Sequence, residues 1–201
     1  MKKKSILYPI FFMFIVTAVF TFVLAVLNHT TADIIKENQD FELRKKILYV
    51  FDLLDEKDTQ EDVNEKFEGR ITERDYKDEQ KIYILEDGDE KAYAVPFNGP
   101  GLWGSIHGYI GVDGDLKKIT GIEFISQSET PGLGGRIAEK PYKEQFRDVD
   151  ITERIGNELI INRPAPGGNV DAIAGATQTS TFVKNMLNKD LIDFIDKGGM
   201  E

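Results

Sequence analysis

Residues 5–27, SILYPIFFMFIVTAVFTFVLAVL, contain no charged side chain. No other feature constrains the fold of this chain as strongly. Coiled as a helix at 1.5 Å per residue, the run is roughly 34 Å long, enough to cross a hydrocarbon layer of ~30 Å. A secretory signal has a shorter apolar core, ~7–15 residues, and ends in small residues that a peptidase can cut. This run is longer and ends in Val26-Leu27-Asn28-His29. It therefore reads as a retained anchor contacting the lipid bilayer through residues 5–27. Pro9 lies near its start, where a helix tolerates proline best. Lys2, Lys3 and Lys4 precede the run, so the positive-inside rule predicts a cytoplasmic N-terminus. The expected topology is single-pass in an inner or plasma membrane, with the C-terminal domain on the periplasmic side.

The rest of the chain is acidic. Asp and Glu number 35 against 25 Lys and Arg, a formal net charge of −10. A nucleic-acid partner would call for the opposite sign, so none is expected. There is no cysteine, which excludes disulfides, thiolate metal sites, iron–sulfur clusters and a thiol nucleophile. The two histidines, His29 and His107, are too few for a histidine-rich metal centre. No metal site and no catalytic residue is assigned.

Hydrophobic spacing divides the chain into an anchor (1–30), a helical or linker segment (31–80) and a domain (81–201). From Ala32 to Leu54 apolar residues recur at helical spacing, which predicts an amphipathic helix after the anchor. Residues 55–79 are mostly charged and read as short helices or a solvated excursion. Two hairpins follow, 81–95 around Asp87-Gly88 and 105–125 around Asp113-Gly114. A short helix is expected at 141–146, a strand at 158–162 and a Pro/Gly loop at 162–169. An amphipathic helix is expected over 179–196, ended by Gly198-Gly199. Hairpin strands flanked by helices make this an α+β fold, an antiparallel sheet with flanking helices behind one transmembrane helix.

Three stretches carry residues that packing does not demand. Gly99-Pro100-Gly101-Leu102-Trp103-Gly104 sets the single Trp among glycines, where backbone can approach a ligand closely. Ser128-Glu129-Thr130-Pro131-Gly132-Leu133-Gly134-Gly135-Arg136 frees several backbone N–H groups beside a hydroxyl and an apolar side chain. Asp171-Ala172-Ile173-Ala174-Gly175-Ala176-Thr177-Gln178-Thr179-Ser180-Thr181 opens the last helix with small and hydroxylic residues, a composition suited to an anionic phosphate group. Taken separately, each also reads as an ordinary turn or helix cap.

Together, in this order and behind an anchor, the three stretches resemble the FMN-binding domain family. Glu129-Thr130-Pro131-Gly132-Leu133-Gly134 is the family's E-T-P-G-L-G loop unchanged, and Ala174-Gly175-Ala176-Thr177-Gln178-Thr179, with Asp171 upstream, is similar to its S-G-A-T-x-[ST] motif. Gly101-Leu102-Trp103 resembles the G-L-W of the branch found in Na+-translocating NADH:quinone reductases rather than the Rnf electron-transport branch. The chain departs from the pattern at Ala174, where the family has Ser, and at Gln127-Ser128, where a His is common.

The resemblance implies FMN held covalently, its phosphate joined to the Thr179 hydroxyl by a phosphodiester that a separate flavin transferase makes from FAD. It implies cofactor contacts from Asp171, Gly175, Ala176, Thr177 and Ser180 around the phosphate. Glu129, Thr130, Gly132, Leu133, Gly134 and Trp103 would lie around the flavin. The implied role is an electron-carrying subunit working with other subunits of a membrane redox complex that oxidises NADH, reduces quinone and pumps Na+. The alternatives are an Rnf-type subunit and a stand-alone extracytoplasmic flavin carrier.

Overall fold

A computed structural model describes residues 7–77, 80–88 and 90–199; the N-terminal lysines lie outside these. The chain falls into two units that divide between Glu42 and Leu43.

The first unit is most of helix α1 (Leu7–Val50). Its apolar stretch has no buried side chain and a mean hydropathy of 2.9, and is long and apolar enough to cross a membrane. Sequence spacing suggested an anchor followed by a second, amphipathic helix; one uninterrupted helix takes both segments. Nothing between them breaks a helix, since residues 28–40 contain neither Gly nor Pro. Ile34 and Ile35, on the expected apolar face, remain exposed.

In the second unit the first buried side chains of α1 are Ile47, Leu48 and Val50, and Leu43 packs beside them. Thr59 opens α2 (Gln60–Arg70) with a capping box, its side chain accepting from the Asp62 N–H while the Asp62 carboxylate accepts from the Thr59 N–H. Strand β1 (Ile71–Asp75) follows, then β2 (Lys81–Asp87), β3 (Glu90–Pro100), β4 (Ser105–Asp113) and β5 (Ile119–Ser126). They form one antiparallel sheet in sequence order. The charges of β1 hid it from the pattern: Thr-Glu-Arg-Asp suits an exposed edge strand, not a half-buried one.

The sheet is covered on both faces. On one lie Ile82, Ile84, Val95, Phe97, Ile110 and Phe124, under Val183, Leu187, Leu191 and Phe194 of helix α4 (Thr177–Asp196). On the other lie Tyr83, Leu85 and Ala94, under Ile47, Val50 and Phe51, with Phe67 of α2 beside them. Two-sided cover explains why β2 and β3 are buried in consecutive positions rather than alternately.

Polar contacts lock the end of α1 to this domain. Lys46 donates to the Phe124 and Ile125 carbonyls at 3.0 and 3.3 Å, and the Tyr49 hydroxyl donates to Glu144 at 2.5 Å. Arg147 donates to the Tyr49 and Thr120 carbonyls at 2.8 and 2.6 Å. Burial, then the Glu144 contact, pushes the Tyr49 phenol above its ordinary range, so it stays protonated as a donor.

Between β5 and α4 the chain is mostly irregular. Helix α3 (Lys140–Lys143) and a following 3-10 turn occupy the expected short helix. The strand expected at 158–162 is nearly absent. Only β6 (Asn162–Arg163) forms, parallel to β7 (Val170–Asp171). The reason is Asn188 on α4, whose amide oxygen accepts from the Leu159 and Ile160 N–H groups at 2.7 and 2.9 Å. A side chain there does the work of a neighbouring strand.

Candidate cofactor site

Three loops from distant parts of the sequence meet at the N-terminal end of α4. The first is the tip of the β3–β4 hairpin. Gly101 N–H donates to the Gly104 carbonyl at 2.7 Å, closing a tight turn that lifts Leu102 and Trp103 to its apex. Trp103 is 69% exposed there. The second loop leaves β5. Leu133 and Gly135 N–H groups both donate to the Thr130 carbonyl, at 3.1 and 2.9 Å, folding Glu129–Gly135 into a compact turn. Gly132 sits at φ +74°, which only glycine adopts freely. The third loop leaves β7 and enters α4. Gly175 takes φ +80°, and the Ser180 hydroxyl accepts from the Ile173 N–H at 2.9 Å while donating to the Ala176 carbonyl at 3.2 Å.

Glu129 ties the three together. It is 5% exposed. One carboxylate oxygen accepts the Leu102 and Trp103 N–H groups at 2.7 and 3.1 Å. The other accepts the Thr179 hydroxyl proton at 2.5 Å, and Thr179 is 1% exposed. Gln127 accepts the Glu129 N–H at 2.6 Å and so orients the loop. Two glycines make the arrangement possible. A Cβ at Gly101 would stand 2.5 Å from a Glu129 carboxylate oxygen, and one at Gly134 would stand 2.6 Å from both Glu129 Oε2 and Thr179 Oγ1. Gly134→Ala should therefore break the Glu129–Thr179 contact and destabilise the domain by about 1–3 kcal/mol, the usual cost of overpacking. A urea titration of the purified variant checks this.

Beside Thr179 a cleft of about 450 Å³ opens. Trp103, Glu129, Thr130, Leu133 and Gly134 line it from the first two loops; Gly175, Ala176, Thr177 and Thr179 line it from the third. Leu102 and Gln178 also face it. Neither was among the contacts expected from the sequence, although each directly precedes a residue that was. Three candidates lie elsewhere. Gly132 shapes its turn without lining the cleft, and Ser180 is buried behind it, holding the turn before α4. Asp171 is exposed, pairs with Arg163 at 3.0 Å and borders a neighbouring depression with Arg136.

Ala176, the residue just before α4, supplies no side-chain cap. The first-turn N–H groups of α4 thus carry the partial positive charge of an uncapped helix end beside the cleft. Another cleft, about 530 Å³, lies between Tyr76 and Asp190 and contains none of the three motifs. There Lys77 pairs with Asp193, and Asp190 accepts the Asn98 N–H at 3.3 Å.

Residues 101–191 match the family described as FMN-binding domain, a span that takes in all three loops. Among similar sequences, the C subunit of the Na+-translocating NADH-quinone reductase of Vibrio anguillarum is 33% identical over 110 residues, covering 52% of this chain and 43% of that one. The corresponding Pseudomonas aeruginosa protein is 32% identical over 116 residues, covering 53% and 44%. The chain thus spans less than half the length of these relatives. Among solved structures, the C subunit of the same type of reductase from Parabacteroides distasonis superposes with a TM-score of 0.66 at 25% identity, covering 80% of this chain and 92% of that one. The Shewanella oneidensis protein NqrC superposes with a TM-score of 0.63 at 17% identity, a likeness of fold, covering 81% and 99%.

The cleft offers what an FMN group would need. Leu102, Trp103 and Leu133 present apolar surface for a ring system, while the start of α4 presents backbone donors for a phosphate.

Proposed function

We propose that this chain is an electron-carrying subunit of a Na+-translocating NADH:quinone reductase, as its Vibrio and Pseudomonas relatives are subunits of theirs, and that it holds FMN covalently through a phosphodiester on Thr179. The observation that carries this reading is the position of the Thr179 hydroxyl. It lies on the uncapped first turn of α4, beside a cleft with apolar walls, inside the motif whose hydroxyl the family uses. The start of α4 would hold the phosphate by backbone donors and helix dipole. Thr130, Leu133 and Trp103 would lie against the flavin ring, and Thr177 would hydrogen-bond near the phosphate. Ser180, engaged with Ile173 and Ala176, would keep the turn in shape. Bound FMN supplies one- and two-electron redox chemistry; the protein supplies its position and surroundings.

The apolar part of α1 would cross the membrane, with the lysines before it in the cytoplasm and the flavin domain on the far side. A flavin transferase would load the cofactor, and other subunits would donate and accept electrons.

The alternative is a stand-alone flavin carrier outside the membrane. Two measurements decide. Mass spectrometry of protein made with a flavin transferase should find an FMN adduct on the peptide containing Thr179; an unmodified peptide refutes covalent attachment. Purification from native membranes should recover reductase subunits with the chain, and its recovery alone would support the stand-alone carrier.

A further inference from the structure

The Thr179–Glu129 contact suggests how the flavin is attached. An aliphatic hydroxyl is a poor nucleophile until a base takes its proton. Thr179 Oγ1 already donates that proton to Glu129 Oε2 at 2.5 Å, which turns its lone pairs away from the carboxylate. Among the residues lining the cleft, Glu129 bears the one ionisable side chain. The hairpin tip 101–104 and the first turn of α4 bring no charge to it. Arg136, the next charged residue along its own loop, pairs with Glu139 at 3.4 Å. The carboxylate is held in place at its other oxygen by the Leu102 and Trp103 N–H groups.

We propose that Glu129 is the proton acceptor for the chain's own flavin loading, an inference that rests on the covalent reading above. In this step Thr179 Oγ1 attacks the phosphorus of FAD that bears the riboflavin. The Oγ1–P bond forms as the bond from that phosphorus to the bridging oxygen breaks, and AMP leaves with the bridging oxygen. The hydroxyl proton passes to Glu129 and then to solvent. Nothing is oxidised or reduced. The base is thus part of the protein being modified, and the transferase needs to supply only FAD and the geometry.

The test uses the full-length chain with flavin transferase, FAD and Mg2+. Glu129→Gln suits it because the Gln side-chain oxygen can still accept from Leu102 and Trp103, while its amide can no longer take a proton from Thr179. Loading of the variant should be about 100-fold slower at neutral pH, a typical contribution from a positioned base. Hydrogen exchange at the Leu102 and Trp103 amides should stay slow in the unloaded variant. Two results overturn the proposal: a variant that loads within a few-fold of wild type, or loading lost together with amide protection, which would make Glu129 a brace rather than a base. A wild-type chain that takes up no flavin on Thr179 refutes the covalent reading instead.

Discussion

Thr179→Ala should leave the chain without covalent flavin, and Thr179→Ser should restore it. The expected effect is all or none, because the proposed bond needs an oxygen at that atom. Ser keeps the hydroxyl on the same first turn of α4, within reach of Glu129. Thr177 and Ser180 cannot substitute. Thr177 is exposed, two residues earlier on the helix, and the Ser180 hydroxyl is buried against Ile173 and Ala176. Denaturing gels under ultraviolet light would show a fluorescent band for the Ser variant and none for the Ala variant. A band in the Ala variant would move the attachment point elsewhere.

The largest loss of stability is expected from Phe194→Ala. Phe194 is fully buried on α4, with its ring edge-to-face with Tyr93 at 5.4 Å and with Tyr76 at 6.2 Å. Its removal takes away transfer energy and leaves a cavity that the sheet cannot collapse to fill, at a cost of about 3–5 kcal/mol. The midpoint of urea unfolding should fall accordingly. Phe194 lies at the opposite end of α4 from Thr179, so flavin loading in the absence of denaturant should persist. A variant as stable as wild type would mean that this end of the helix contributes little to the core.

Much of this fold could be read from local pattern. The two hairpins and the last helix announce themselves by Asp-Gly turns and by apolar spacing, and the α+β class follows from their order. The failures share a cause, in that each depends on a distant partner. β1 is a strand because β2 offers it an edge, although its own residues are charged. Leu159 and Ile160 are not in a strand because Asn188, far along the chain, takes their N–H groups. The continuity of α1 could not be judged from an unbroken apolar run followed by an amphipathic pattern. In the site, the three motifs were visible, but the residue that joins them was not distinguished from its neighbours. Nothing in Glu129-Thr130-Pro131 says that the carboxylate reaches two other loops. Asp171 shows the reverse, a motif residue placed outside the cleft, paired with Arg163.

The bare start of α4 has a consequence for how such a protein is kept in repair. A helix end without a cap is a weak point where unravelling begins. A phosphate attached at Thr179 would supply the missing acceptor, and being bound for good it could not be diluted away. Chains that escaped loading would then be the easier prey for housekeeping proteases, so loaded copies would outlast unloaded ones.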